Sequence, residues 1–406
     1  MTMSLSQELQ WRGFVNQTTF ADITDLDSKS LTFYFGVDPS ADSMQIGNFA
    51  AAMMVRHLID AGHKAILLVG GATGMIGDPD GKKDERNLKT LDEIAKNKAA
   101  IAEQYKQIFA GKEFTIVDNY DWFKNMNYLE FLREVGKNVP MSQMLGREFV
   151  QSRLGEGGEG ISYAEFSYSL IQGYDFLHLY RTYGATMQLC GADQWGNSIA
   201  GVDLIRRIEG AEAHVYSMPL IMNKATGRKF GKSEDGAVWL DPAKTSVYKF
   251  YQFWLNVDDE GVADYAKIYT LLSQDEIAAL AQAASENPQA RVAQKTLARE
   301  VTTLVHGADR AAAAEKVTAV LFGGADVTEL DGAALDLLAQ EIPTAERGLD
   351  IVAILVEKGA AASNSEARRL LQAGAISING QKATEEVVLA GTSLIKKGKN
   401  SFILVR

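Results

Sequence analysis

Residues 31–69 read LTFYFGVDPSADSMQIGNFAAAMMVRHLIDAGHKAILLV, and they decide the fold. The run 31–37 (LTFYFGV) is apolar and predicts a buried strand that ends at the turn signal Asp38-Pro39-Ser40. Residues 47–61 repeat apolar side chains at three and four, which predicts a helix, and Gly62 follows as its stop. Residues 64–69 (KAILLV) predict a second short strand, which runs into the glycine-rich stretch 70–77. Strand, helix and strand in so short a span make a βαβ unit, with parallel strands and a right-handed crossover.

A second block repeats the pattern. Residues 162–183 predict a long amphipathic helix with Phe166, Leu170, Tyr174 and Leu177 on one face. The strand ATMQLCG, the loop ADQWGN, the helix SIAGVDLIRRIEG and the strand HVYSMPLI follow. Two such halves predict an α/β domain over residues 1–222, with a doubly wound parallel sheet of Rossmann-like form. Ligands bind such sheets at the carboxyl ends of the strands, so the turns 38–43, 70–83 and 191–197 should converge on one site.

The rest of the chain is organised differently. Residues 223–246 read as a polar loop and connector, 247–325 as helical and Ala-rich, and 326–346 as a linker of mixed composition. A small unit occupies 347–406, with two helices and a hairpin whose turn signal is Asn379-Gly380.

Composition narrows the function. The chain has 406 residues, 46% hydrophobic and 23% charged, which excludes global disorder and allows more than one domain. A net charge of −11 argues against coating nucleic acid through the overall field. Its distribution is uneven. Residues 350–406 carry eight positive and five negative side chains, a net of +3, which leaves −14 for the remainder. The single cysteine, Cys190, admits no internal disulfide, and the five histidines show no metal-type spacing. No apolar run approaches the length of a membrane span and no signal peptide is apparent, so the expected location is cytoplasmic, with no membrane partner.

Three groups of residues suggest chemistry. Lys224, Arg228, Lys229 and Lys232 crowd the Gly-containing segment 223–236, which suits phosphate contact, whereas charge alone favours a solvated hairpin loop. Gly231-Lys232-Ser233 looks like the end of a P-loop, but Thr226 stands where its first glycine belongs. The glycine run 70–77 allows close backbone approach to a nucleotide, with Asp78 as an acceptor. Tyr168, Gln172 and Asp175 share one helix face, as a pocket for a polar aromatic ligand or a partly exposed stripe would.

Five phrases occur in order: YFGVDPSADSMQIGN, GHKAILLVGGATGMIGDPDGKKDERN, ISYAEFSYSLIQGYDFLHLY, GADQWGN and RKFGKSEDGAVWLDP. Together they resemble the bacterial tyrosyl-tRNA synthetases, class I aminoacyl-tRNA synthetases, and the terminal unit resembles their S4-like RNA-binding domain. The resemblance runs from about residue 5 to 406. It implies that L-tyrosine and ATP form tyrosyl-adenylate and pyrophosphate with Mg²⁺ present, and that tyrosine then passes to the 3′ end of tRNA(Tyr). No tightly bound metal is implied. It makes 223–246 a mobile signature loop, 247–325 a helical anticodon-binding domain and 347–406 the S4-like domain. It also implies a homodimer, for which the aromatic and Met-rich stretch 120–150 would serve as interface or as ordinary core.

The resemblance also implies residue roles. Tyr34 and Asp175 would bind the substrate phenol, and Asp78, Tyr168 and Gln172 its amino group. Gln188 and Gln194 match the pocket wall and the region near the carboxylate. Gly36, Asp38, Gly47, Asp193 and Lys232 match ATP positions. Lys229, Lys232 and Ser233 would meet the leaving pyrophosphate, helped by Lys82 and Arg86. Arg368 and Arg369 are the expected tRNA phosphate contacts. One departure is large: the family motif His-Ile-Gly-His is here Gln45-Ile46-Gly47-Asn48, and Phe35 stands where a cysteine is common. Both replacements are amides that can donate hydrogen bonds, and Ser40 keeps a hydroxyl beside them. Activation is therefore expected to survive without histidine titration. The alternative is a synthetase-like RNA- or amino-acid-binding paralogue that has lost ligase activity.

Overall fold

The computed structural model describes residues 3–79, 89–155, 160–233 and 236–406. The chain forms two compact units, Met1–Lys244 with Val257–Ala293, and Thr245–Asn256 with Gln294–Arg406.

The first unit is built on a six-stranded sheet of β1 (Gln17–Thr18), β2 (Thr32–Val37), β3 (Lys64–Val69), β4 (Phe114–Asp118), β5 (Met187–Gly191) and β6 (His214–Met218). Its order is β1-β6-β5-β2-β3-β4, with β2 to β6 parallel and β1 antiparallel at the edge. The chain moves outward from β2 through β3 to β4, then returns to lay β5 against the other side of β2. That reversal opens a crevice at the carboxyl ends of β2 and β5, which is where doubly wound sheets bind ligands. Tyr34 in β2 is in register with Ile66 in β3 and Gln188 in β5. Phe33, Tyr34 and Phe35 are all buried, as expected for a parallel strand covered on both faces.

Helix Ile46–Asp60 follows β2, and helix Tyr163–Tyr183 precedes β5. Ser162 caps the second by accepting from the Glu165 N–H, and Gly184 ends it at a φ of 68°. The expected single apolar face is too narrow a description. Tyr168, Gly173, Tyr174, Asp175, Phe176 and Leu177 are all buried, because the helix is enclosed on several sides. Phe176 meets Tyr34 of the sheet at 5.2 Å between rings, and Tyr174 meets Phe123 at 5.5 Å. Helix Trp195–Glu209 covers another side so closely that a Cβ on Gly201 would sit 2.7 Å from Phe176 Cβ. That second helix begins at Trp195, earlier than the residue patterning placed it, and Ser198 Oγ donates back to the Gln194 carbonyl at 2.9 Å.

The segment expected as one helical domain, 247–325, is divided. Helices Val262–Tyr269 and Gln274–Glu286 belong to the first unit, where the buried Arg12 donates to the carbonyls of Lys267, Thr270 and Leu272 at 2.7, 3.1 and 2.8 Å. The second unit holds helices Val247–Leu255, Ala308–Phe322 and Gly332–Glu341. The stretch 326–346 is therefore not a bare linker. Asp331 caps helix Gly332–Glu341 by accepting from the Ala334 N–H at 2.9 Å, Leu338 is buried, and Thr344–Ala345 pairs with Ser401–Val405. Mixed composition hid a short helix whose cap and apolar side chains are few. The terminal hairpin forms as expected, Ile376–Ile378 against Gln381–Ala383, with Asn379 and Gly380 at φ 48° and 80°.

Candidate active site

The crevice is lined by segments that leave the carboxyl ends of four strands. Asp38 follows β2. Its Oδ2 accepts from the Tyr168 hydroxyl at 2.7 Å and its Oδ1 from Thr73 Oγ1 at 2.6 Å. Gly70 follows β3, and a Cβ there would lie 2.0 Å from Thr73 Oγ1 and 2.5 Å from Asp38 Oδ1, so glycine is what lets these groups meet.

The contacts continue inward. Asn119, which follows β4, donates from Nδ2 to Thr73 Oγ1 at 3.1 Å and to Asp175 Oδ2 at 3.0 Å. Trp122 Nε1 donates to Asp175 Oδ1 at 2.9 Å. Burial pushes the Asp175 carboxyl well above its ordinary range, while the two donors favour its ionised form. The Tyr34 hydroxyl, buried and raised in pKa first by desolvation and then by the Asp175 charge, has no hydrogen-bond partner. The Oε1 of Gln188, its register neighbour, is also buried without one. Unpaired polar atoms beside a carboxylate have hydrogen-bonding capacity that a ligand hydroxyl can complete.

The expected residues therefore divide as follows. Tyr34, Tyr168, Asp175 and Gln188 cluster at the crevice, with Gln172 half-buried on the same helix. Gln194 and Asp78, from different strand ends, are joined by a hydrogen bond from Gln194 Nε2 to Asp78 Oδ2. Gly36, Ser40, Gly47 and Asp193 are exposed, and nothing stands within 4 Å of a Cβ built on Gly47. Gln45 and Asn48 lie at the start of helix Ile46–Asp60, where the Gln45 N–H donates to Asn48 Oδ1 at 3.1 Å.

Lys229 is exposed and pairs in an antiparallel bridge with Met222, just past the turn that Asn223 closes, and the next residue, Phe230, stacks on Tyr265 at 4.2 Å. The same loop leads back to the helix start. Val238 N–H donates to the Gly231 carbonyl at 3.1 Å, Ile46 N–H to the Val238 carbonyl at 3.2 Å, and Leu240 N–H to the Met44 carbonyl at 2.9 Å. Lys82, Arg86 and the side chains of Lys232 and Ser233 lie outside the described residues. In the second unit, Arg369 is exposed and Arg368 is ion-paired with Glu386 at 2.8 Å.

Sequence reading missed Thr73, Asn119, Trp122 and Asn197. Trp122 stood in the aromatic stretch considered for an interface and Asn119 just before it, and only the position of Asn119 after β4 could have marked it.

Two family models match the chain. One describes class I tRNA synthetases for tryptophan and tyrosine and covers residues 26–323. The other describes the C-terminal domain of tyrosine–tRNA ligases and covers 335–406. Relatives span the full length. A tyrosine–tRNA ligase of Geobacillus kaustophilus is 44% identical over 422 residues, covering 100% of each chain. One of Bacteroides fragilis is 42% identical over 428 residues, covering 99% of each. Among solved structures, a C-terminally truncated mitochondrial tyrosyl-tRNA synthetase of Aspergillus nidulans superposes with a TM-score of 0.72 at 30% identity, covering 79% of this chain and 95% of that one.

Proposed function

Because the chain belongs to the class I tRNA synthetases of the tryptophan and tyrosine family and is a tyrosine–tRNA ligase, we propose a division of labour among the residues of its crevice. Tyr34 and Asp175 read the phenol of L-tyrosine. The observation that carries this is the buried, unpartnered Tyr34 hydroxyl beside a carboxylate already held by Asn119 and Trp122. Phenylalanine would leave the buried Tyr34 hydroxyl without a partner and bring no phenol to Asp175, which supports discrimination of about 10⁴–10⁵. Asp78, Tyr168 and Gln172 hold the ammonium, with Gln188 and Gln194 about the pocket wall and carboxylate.

ATP occupies the open face beside Gly36, Asp38, Gly47 and Asp193, and Mg²⁺ enters with it as part of the substrate. A carboxylate oxygen of tyrosine bonds to the α-phosphorus as the bond to the pyrophosphate oxygen breaks. No covalent enzyme intermediate is needed, so the protein contributes position and charge. Gln45, with Ser40, donates to the phosphates in place of the family histidine. Lys229, Lys232 and Ser233, with Lys82 and Arg86, meet the departing pyrophosphate. Arg368 and Arg369 contact tRNA phosphates.

The enzyme works as a cytoplasmic homodimer. Supporting the dimer, Tyr128, Leu129, Met141 and Tyr163 are exposed apolar side chains in the first unit, and sedimentation at micromolar concentration tests it. Among the described residues no helix is long and apolar enough to cross a membrane. Tyrosine-dependent pyrophosphate exchange by the pure protein tests the activation step. Absence of exchange with tyrosine still bound would return the paralogue reading, which the relatives do not favour.

A further inference from the structure

Arg147 lies outside the site as described so far. Its guanidinium donates from Nη1 to Asn197 Oδ1 at 2.6 Å and from Nη2 to the Gly196 carbonyl at 2.7 Å. Asn197 is buried and donates from Nδ2 to Gln194 Oε1 at 3.2 Å. Gln194 in turn donates from Nε2 to Asp78 Oδ2. The row begins at a group that can only donate and ends at a carboxylate oxygen that accepts. Between them stand two amides, each with two orientations. A guanidinium at one end admits only Asn197 Oδ1 toward it, which turns Asn197 Nδ2 toward Gln194. Gln194 must then point its oxygen back and its NH₂ group forward.

We propose that Arg147 and Asn197 are positioning residues that fix the polarity of the Gln194 amide and thereby orient the Asp78 carboxylate toward the substrate ammonium. The inference rests on Asp78 taking that ammonium. Asn197→Asp keeps the shape but removes the donor from the middle of the row. Gln194 then turns its NH₂ back toward position 197 and presents its oxygen to Asp78, setting two acceptors against each other. Arg147→Met removes the donor that sets the direction.

The test is pyrophosphate exchange by the full-length protein and its Asn197→Asp, Arg147→Met and Asp78→Asn variants. It is paired with competitive inhibition by 4-ethylphenol, which has the phenol but neither the ammonium nor the carboxylate. KM for tyrosine should rise about tenfold in the first two variants, with KM for ATP and Ki for the analogue within about twofold. A parallel rise in the analogue Ki would mean general distortion and would overturn the proposal. So would an unchanged tyrosine KM in those variants while Asp78→Asn raises it. If Asp78→Asn itself leaves that KM unchanged, the assignment of the ammonium to Asp78 fails, and the positioning role falls with it.

Discussion

The backbone N–H of Gln45 donates to the side-chain oxygen of Asn48 across 3.1 Å, so one replaced signature residue holds the other in place. Asn48 thus supplies a capping contact at the start of helix Ile46–Asp60. Asn48→Ala should cost about 1 kcal/mol in urea unfolding. Asn48→Asp keeps the acceptor, so stability should hold, while KM for ATP rises because a negative charge faces the triphosphate. Equal KM values for the two variants would contradict this placement.

Gln45 is expected to act on phosphate alone. Gln45→Ala should lower kcat of pyrophosphate exchange about 100-fold, the usual effect of losing one donor to transition-state charge. KM for tyrosine should stay within about twofold. Gln45→His should change the rate. An unaltered rate in both variants would remove Gln45 from the step.

Tyr34→Phe should separate stability from selectivity. The hydroxyl is buried without a partner, so deleting it relieves a desolvation cost and should stabilise the folded protein by about 1 kcal/mol. The same change should lower the preference for tyrosine over phenylalanine at least about tenfold in exchange assays. A destabilised variant with intact selectivity would show that the hydroxyl serves packing.

His57 makes stability depend on pH. Burial, and then the charge of Arg12, lower its pKa from 6.5 to about 4, and its Nε2 is buried without a partner. Its folded-state pKa is depressed, so the unfolded chain takes up the proton first. The contribution is fully present above pH 6.5 and is lost as pH falls toward about 4. The loss across that window should be about 3 kcal/mol, and His57→Gln should flatten the profile of denaturation midpoints. Equal slopes for wild type and variant would contradict this.

Arg368 is engaged by Glu386 at 2.8 Å, whereas Arg369 is exposed on the same helix. If both meet tRNA phosphate, Arg369→Ala should weaken charging, leave pyrophosphate exchange unchanged and reduce the salt slope of tRNA binding by about one. Glu386→Gln should tighten tRNA binding by releasing Arg368. Charging insensitive to all of these changes would place the RNA contact elsewhere.

Much of this protein was legible along the chain. Periodicity in 31–69 determined the βαβ unit, because one buried parallel strand and one helix have patterns that differ locally. Asn379-Gly380 determined its hairpin through backbone conformations the pair adopts readily. Five ordered motifs pointed to the family. What the tertiary structure alone decided involves groups far apart in sequence. Asn119 reaches Asp175 across 56 positions and Gln194 reaches Asp78 across 116, and no local pattern records such meetings. The helix carrying Asp175 is buried on several sides because neighbours distant in sequence enclose it, which a one-face pattern understates. The identities of the side chains were set by the sequence. Which donor met which acceptor, and which hydroxyl was left without a partner, was set by how the sheet and its covering helices closed around them.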